Sequence, residues 1–348
     1  MLAKRAQRES KHAHASVEHG ARVFHFVPVL FLLLSITSCG AEDAKSVGEP
    51  IEPGRYKYAI ESTVDGHQQP CYVIVPKGLR TDGEPVPLLV SLHSWSNDCE
   101  YRSWKLERLA EEKGWIYLYP NFRGPNKTPP ACGSELAQQD ILDAVEWAKG
   151  RYPVNDRRIY LLGVSGGGHM TLQMVGLHPK IWAAASAWCG PTDLTAWHNV
   201  RKNDKYGAMM RASCGGAPGN SDEVDRQYRQ RSPVTHLHNA VGVPVEICHG
   251  VHDGYKGSVP IVHSLNAFNI IAKAAGMELI GDEEIAQLTR PDGHLDDPRR
   301  SDQVTDELLG KKIHLRRYAG PARITIFEAG HEGNAAAAVS WLEKHVKK

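Results

Sequence analysis

Ile159-Tyr160-Leu161-Leu162-Gly163-Val164-Ser165-Gly166-Gly167-Gly168-His169-Met170-Thr171-Leu172 is the stretch on which the reading of this chain turns. An apolar, β-rich run enters it, a helix-like run leaves it, and a serine stands between glycines at the junction. Its centre, Gly163-Val164-Ser165-Gly166-Gly167, has the spacing G-x-S-x-G, in which a serine occupies a sharp turn from strand to helix. Only small neighbours let the backbone fold back there and lift the hydroxyl above the edge of a sheet. The pattern predicts a strand over 158–164, a helix over roughly 169–178, and Ser165 as candidate nucleophile.

The chain outward from this point alternates strand and helix patterns, the signature of a mostly parallel sheet covered by helices on both faces. Upstream, 56–61 and 69–75 read as two opening strands joined by the turn residues Asp65-Gly66, and 86–93 as a buried strand. A helix over 104–113, a strand over 115–119 and a helix over 134–151 follow. Downstream, strands are expected over 182–188, 243–248 and 324–328, with helices over 258–275 and 335–346. Two stretches break the alternation, at about 191–241 and 277–312, and read as insertions in one domain spanning 56–348.

A serine hydroxyl is a weak nucleophile until a base takes its proton, so a histidine and an orienting acid must come from elsewhere. For a G-x-S-x-G elbow the chain order is serine, acid, histidine. Asp253, in His249-Gly250-Val251-His252-Asp253, follows the 243–248 strand, and His331, in Glu328-Ala329-Gly330-His331, follows the last one. Asp193, after the 182–188 strand, stands as the alternative acid. His169, His178 and His198 fall in the wrong order, and His249 and His252 precede the acid, so all five read as structural. His294 and His314 lie in polar segments away from a buried strand. Donors for an oxyanion are expected from the Gly166 amide and from Ser94 or Trp95, in the loop His93-Ser94-Trp95. Trp95 is also a candidate for lining a substrate pocket.

The composition is that of an ordinary globular chain, with 348 residues, 41% of them hydrophobic and 23% charged. A formal net charge of +1 gives no field for steering nucleic acid, and no nucleic-acid partner is expected. No histidine spacing of a metal-binding kind occurs, so no metal and no organic cofactor is expected.

Lys4, Arg5, Arg8, Lys11 and Arg22 precede an apolar run over 23–36 that is short for a membrane span, as in a signal peptide covering 1–38. The run ends in Leu34-Ser35-Ile36-Thr37-Ser38-Cys39, which resembles a bacterial lipobox and makes Cys39 the candidate lipidation site. Residues 39–55 read as a flexible tether. The expected location is therefore outside the inner compartment, anchored to a membrane by lipid. Export leaves six cysteines for pairing, and Cys99–Cys132 and Cys189–Cys214 are the expected disulfides, with Cys71 and Cys248 as buried thiols.

With its elbow Gly163-Val164-Ser165-Gly166-Gly167-Gly168-His169 and the run His252-Asp253-Gly254-Tyr255-Lys256-Gly257-Ser258-Val259-Pro260, the chain from about Gln69 to Lys347 resembles the α/β-hydrolase superfamily, in particular the esterase-like branch of the prolyl oligopeptidase family. The resemblance implies the α/β-hydrolase fold and a serine hydrolase with the triad Ser165, Asp253 and His331. The stretch ahead of the catalytic domain leaves no room for the β-propeller that confines true oligopeptidases to peptides, which favours a carboxylic ester as substrate. Acylated polysaccharide is the expected extracellular substrate. A serine peptidase and a non-catalytic binding lipoprotein on a hydrolase scaffold are the alternatives.

Overall fold

The computed structural model describes residues 49–348, so the expected signal peptide over 1–38, Cys39 and the first part of the expected tether lie outside the described residues. Residues 49–54 are already docked: Ile51 N–H donates to the Leu79 carbonyl, Thr81 N–H to that of Glu49, and Pro50 bridges Arg80. The tether expected to run to 55 therefore gives way to the domain by 49.

Strands β1 (Gly54–Glu61) and β2 (Gln68–Val75) form an antiparallel hairpin. There follow β3 (Val86–Leu92), α1 (Trp104–Glu112), β4 (Ile116–Pro120), α2 (Glu135–Arg151), β5 (Val154–Val164), α3 (Gly166–Leu177) and β6 (Ala184–Trp188). The first insertion then folds as α4 (Leu194–Arg201), α5 (Lys205–Cys214) and α6 (Asp222–Gln230). The chain closes with β7 (Val245–Gly250), α7 (Val262–Ala274), α8 (Asp282–Leu288), β8 (Ile313–Ala319), β9 (Ala322–Phe327) and α9 (Ala335–Leu342).

The nine strands make one sheet, ordered β1-β2-β4-β3-β5-β6-β7-β9-β8. β4, β3, β5, β6, β7 and β9 run parallel, with the antiparallel β1–β2 and β8 at the edges. This is the α/β-hydrolase fold, as the sequence implied. Side chains alternate across it with period two. Leu88, Val90, Leu118 and Leu161 pack under α2, α3 and α7, while Leu89, Tyr117, Tyr160 and Leu162 pack under α1 and α9. Both faces are covered, which is why the central strands read as continuous apolar runs. Leu88, Leu89 and Val90 have no exposed surface, and truncating such a leucine to alanine costs about 2–5 kcal/mol.

The chain leaves β3 toward β4 on one side and crosses to β5 on the other, so a crevice opens between the carboxyl ends of β3 and β5. A third buried cluster, with Trp95, Leu194, Trp197, Met210 and Tyr228, ties the first insertion over this edge. No helix among the described residues is long and apolar enough to cross a membrane.

The expected disulfides are not formed. All six described cysteines are buried free thiols. Cys99 packs in the α1/α9 layer and Cys132 in the insertion cluster, while Cys189 hydrogen-bonds the Glu332 carbonyl at 3.2 Å and Cys214 stays with the insertion. Cys132 and Cys214 share that one cluster while Cys99 and Cys189 lie outside it, so neither expected pair is brought together, and the thiols pack as small hydrophobes. Burial pushes the Cys132 thiol up to about 11, and burial with help from nearby carboxylates pushes Cys99 up to about 12.

Candidate active site

Ser165 sits between β5 and α3 at φ 60°, ψ −119°, a conformation that costs a non-glycine residue on the order of 1–3 kcal/mol. The turn is held by Ser165 N–H donating to the Trp188 carbonyl at 2.8 Å and by His169 N–H donating to the Ser165 carbonyl at 2.9 Å. Its glycines are dictated by close approach. A Cβ on Gly163 would lie 2.2 Å from the Gly167 backbone, and one on Gly166 would lie 2.2 Å from the Trp95 nitrogen.

That second contact places the loop after β3. The Trp95 amide, more closely than that of Ser94, stands against Gly166 at the start of α3. Ser94 turns its hydroxyl to the Val164 carbonyl at 3.2 Å. The Trp95 indole does not line an open pocket, contrary to expectation. It is 1% exposed, set edge-on to His169 and Trp197 with ring centroids 5.3 and 4.7 Å away, because the first insertion closes over it.

Asp253 and His331 meet. The loops after β7 and β9 bring His331 Nδ1 to 2.6 Å from Asp253 Oδ2. The same oxygen faces His249 Nε2 at 2.9 Å, and Oδ1 accepts from the backbone N–H groups of Gly254 at 2.9 Å and Val259 at 3.1 Å. Burial alone would raise the Asp253 pKa, but the hydrogen bonds from His249 and His331 outweigh it and hold the carboxyl well below the usual range. His331 is partly exposed, and its Nε2 lies 3.4 Å from Ser258 Oγ. No hydrogen bond joins it to Ser165 among the described residues. The two are nevertheless neighbours through their loops, since a Cβ on Gly333 would lie 2.6 Å from a Val164 methyl.

Asp193, the alternative acid, is occupied elsewhere. Its carboxylate caps α4 by accepting from Ala196 N–H at 2.9 Å. His169 is buried with Nε2 facing the Arg231 carbonyl at 2.7 Å, and His178 faces Gln138. His198 contacts Arg211, His252 and His314 share Glu328, and His294 pairs with Asp292 and Asp296. His249, read as structural, has a part in the site that the sequence did not reveal. Val259 O, 3.0 Å away, and Asp253 are acceptors only, so His249 Nε2 carries a hydrogen and is a fixed donor to the acid. Its position four residues before Asp253 was the available signal.

Cys189, His249 and Asp253 each bring a potential metal ligand within 4.8 Å of the others. The donor set does not suit a metal. Both His249 nitrogens are engaged, with Nδ1 on Ser264 Oγ at 2.7 Å, and burial, reinforced by Asp253, pushes the Cys189 thiol up to about 12.

The model of the prolyl oligopeptidase family matches residues 100–279, just over half of the 348. The chain belongs to the prolyl oligopeptidase family. Among the relatives of this family member, acetylxylan esterase A of Talaromyces purpureogenus is 24% identical over 180 residues, 48% of this chain and 45% of the esterase. Feruloyl esterase B of Neurospora crassa is 30% identical over 34% of this chain and 43% of its own. Dipeptidyl aminopeptidase BIII of Pseudoxanthomonas mexicana is 25% identical over 68% of this chain and 36% of the peptidase. The chain thus spans less than half the length of these relatives. In fold it is similar to an acylaminoacyl peptidase of Pyrococcus horikoshii, with TM-score 0.51 and 19% identity over 66% of this chain and 36% of that one. A puromycin-hydrolyzing peptidase of Mycobacterium tuberculosis gives TM-score 0.54 and 18% identity over 64% and 34%.

Proposed function

We propose that this chain is an exported serine hydrolase that cleaves carboxylic esters through an acyl-enzyme, with Ser165 as nucleophile, His331 as base and Asp253 as acid. The observation that carries the proposal is the 2.6 Å Asp253–His331 pair, which stands at the sheet edge whose β5 ends in the strained serine. Asp253 holds Nδ1 of His331 as the donor, leaving Nε2 to take the serine proton. In the reaction Nε2 leaves Ser258 for Ser165 Oγ, the hydroxyl attacks the ester carbonyl, and the oxyanion takes hydrogen bonds from the Gly166 and Trp95 amides. His331 then returns its proton to the departing alcohol, and water, activated by the same imidazole, releases the acid.

Ester rather than peptide is supported by the matches to acetylxylan and feruloyl esterases, and acylated polysaccharide is the substrate class they suggest. The longer match to a dipeptidyl aminopeptidase favours the second reading, a peptidase. Export with a lipid on Cys39 belongs to the proposal, and the domain begins soon after that residue. The test is a panel of acetyl and feruloyl sugar esters beside peptide anilides, each with the wild-type chain and Ser165→Ala. Ester turnover abolished by Ser165→Ala is the expected result, and turnover of anilides alone would replace the reading with the peptidase one.

A further inference from the structure

On the side of Ser165 away from the insertion, a groove of about 580 Å³ lies between the starts of α1 and α9. Its floor includes Val164, the residue before Ser165, and its α9 wall begins at Gly333, two residues after His331. Both helices follow strands of the parallel set, so the groove opens at the carboxyl edge that carries the candidate triad. The α1 wall presents Tyr101 and Trp104, large aromatics that are 63% and 55% exposed. Every charged residue lining the groove is basic: Arg102, Lys105 and Arg108. Two carboxylates stand nearby: that of Glu107 is buried and shared by Arg55 and Arg102, and that of Glu112 makes a solvent-exposed pair with Arg108 at 3.3 Å, a contact worth little that a ligand carboxylate can replace. Lys105 Nζ and the Arg108 guanidinium stand 5.6 and 5.9 Å from the Trp104 ring centroid, so the indole and the charges form one surface.

We infer that this groove is a subsite for a glycan chain bearing carboxylates, such as a uronate residue beside the acylated sugar. The inference rests on the esterase reading and names the part of the substrate that the reading leaves open. Exposed indole and phenol faces, negative at their centres, stack on the C–H faces of pyranose rings, and the basic side chains pair with ring carboxylates. A neutral glycan uses the aromatics alone, and an aliphatic acyl chain uses neither the ring stacking nor the exposed basic edge formed by Lys105 and Arg108.

Binding is measured by calorimetry with tetragalacturonate and with neutral xylotetraose, using the Ser165→Ala full chain so that hydrolysis plays no part. Tetragalacturonate is expected to bind more tightly, and to weaken about tenfold between roughly 0.1 M and 1 M salt, where the Debye length contracts from about 10 Å to about 3 Å. Adding Lys105→Glu and Arg108→Glu is expected to weaken it by about tenfold or more, while Lys105→Arg with Arg108→Lys preserves it. Trp104→Ala is expected to weaken both oligosaccharides. Equal affinity of the two sugars, or wild-type affinity in the charge-reversed chain with an unchanged melting temperature, overturns the inference. Aryl acetate hydrolysis by the wild type reports separately on the esterase reading. Binding without hydrolysis overturns that reading alone, and hydrolysis without binding overturns the groove alone.

Discussion

His249 Nε2 and Asp253 Oδ2 lie 2.9 Å apart with both side chains fully buried, and that same carboxylate oxygen also faces His331. Asp253 is therefore held from behind by an imidazole that is not exposed to substrate. His249→Phe removes one donor and leaves the carboxylate more available to His331. The expected result is a kcat about tenfold lower and a pH–rate midpoint moved upward, with about 1–3 kcal/mol of stability lost because the buried Val259 carbonyl is left without its donor. An unchanged pH profile would assign His249 a packing role only.

The two candidate acids separate cleanly. Asp253→Asn is expected to lower kcat by about 10³–10⁴-fold, because the amide presents the wrong partner to His331 Nδ1. Asp193→Ala removes the cap of α4 and is expected to cost about 1 kcal/mol in denaturant unfolding while kcat stays within about twofold.

Gly166→Ala drives a methyl onto the Trp95 nitrogen and forces the loop after β3 away from the elbow. Loss of one oxyanion donor is expected to lower kcat by about 10²–10³-fold. Active-site titration with an aryl ester separates this slowed acylation from misfolding.

His263 and His169 bring an acid limb to stability. The Thr192 and Asp193 N–H groups both point at His263 Nδ1 from 3.3 Å, so that nitrogen must be unprotonated. Burial lowers the pKa from 6.5 to about 3 for His263 and to about 4 for His169. Below pH 6.5 the unfolded chain therefore takes up protons that the folded chain refuses. Stability is whole above that pH and falls toward the folded values, by up to about 1.4 kcal/mol per pH unit for each site. Urea unfolding between pH 7 and pH 4.5 checks this, and His263→Asn is expected to shallow the slope by about one proton.

The thiols are expected to be silent in the folded protein. Ellman's reagent should react slowly with the native domain and with all six described cysteines after unfolding without reductant, and reductant should leave the melting temperature unchanged.

Much of this fold was legible because both faces of the sheet are covered. Runs such as Leu88-Leu89-Val90 and Tyr160-Leu161-Leu162 are apolar throughout, and the strand-turn-helix around Ser165 is forced by its glycines. β8 was not foreseen, because Arg316 and Arg317 sit in its centre. Their burial is compensated by ion pairs with Asp302, Asp306 and Glu284 and by a hydrogen bond from Arg316 to Thr325 Oγ1, partners that no local pattern announces. The insertion read as an irregular polar stretch is three helices, started by the caps Asp193, Asp204 and Ser221. Those caps were visible, but their helices are short, and α6 buries little beyond Val224 and Tyr228. The meeting of Asp253 with His331 followed from chain order. The roles of His249 and Ser258 did not, since they depend on how the loop over 250–260 folds back on the acid.

The most direct test of the account is labelling of the native chain with a fluorophosphonate, followed by peptide mass spectrometry. The account predicts a single phosphonylated residue, Ser165, with labelling slowed strongly in Asp253→Asn and absent in Ser165→Ala. Modification of Ser258 instead, or an active chain that stays unlabelled, would contradict it.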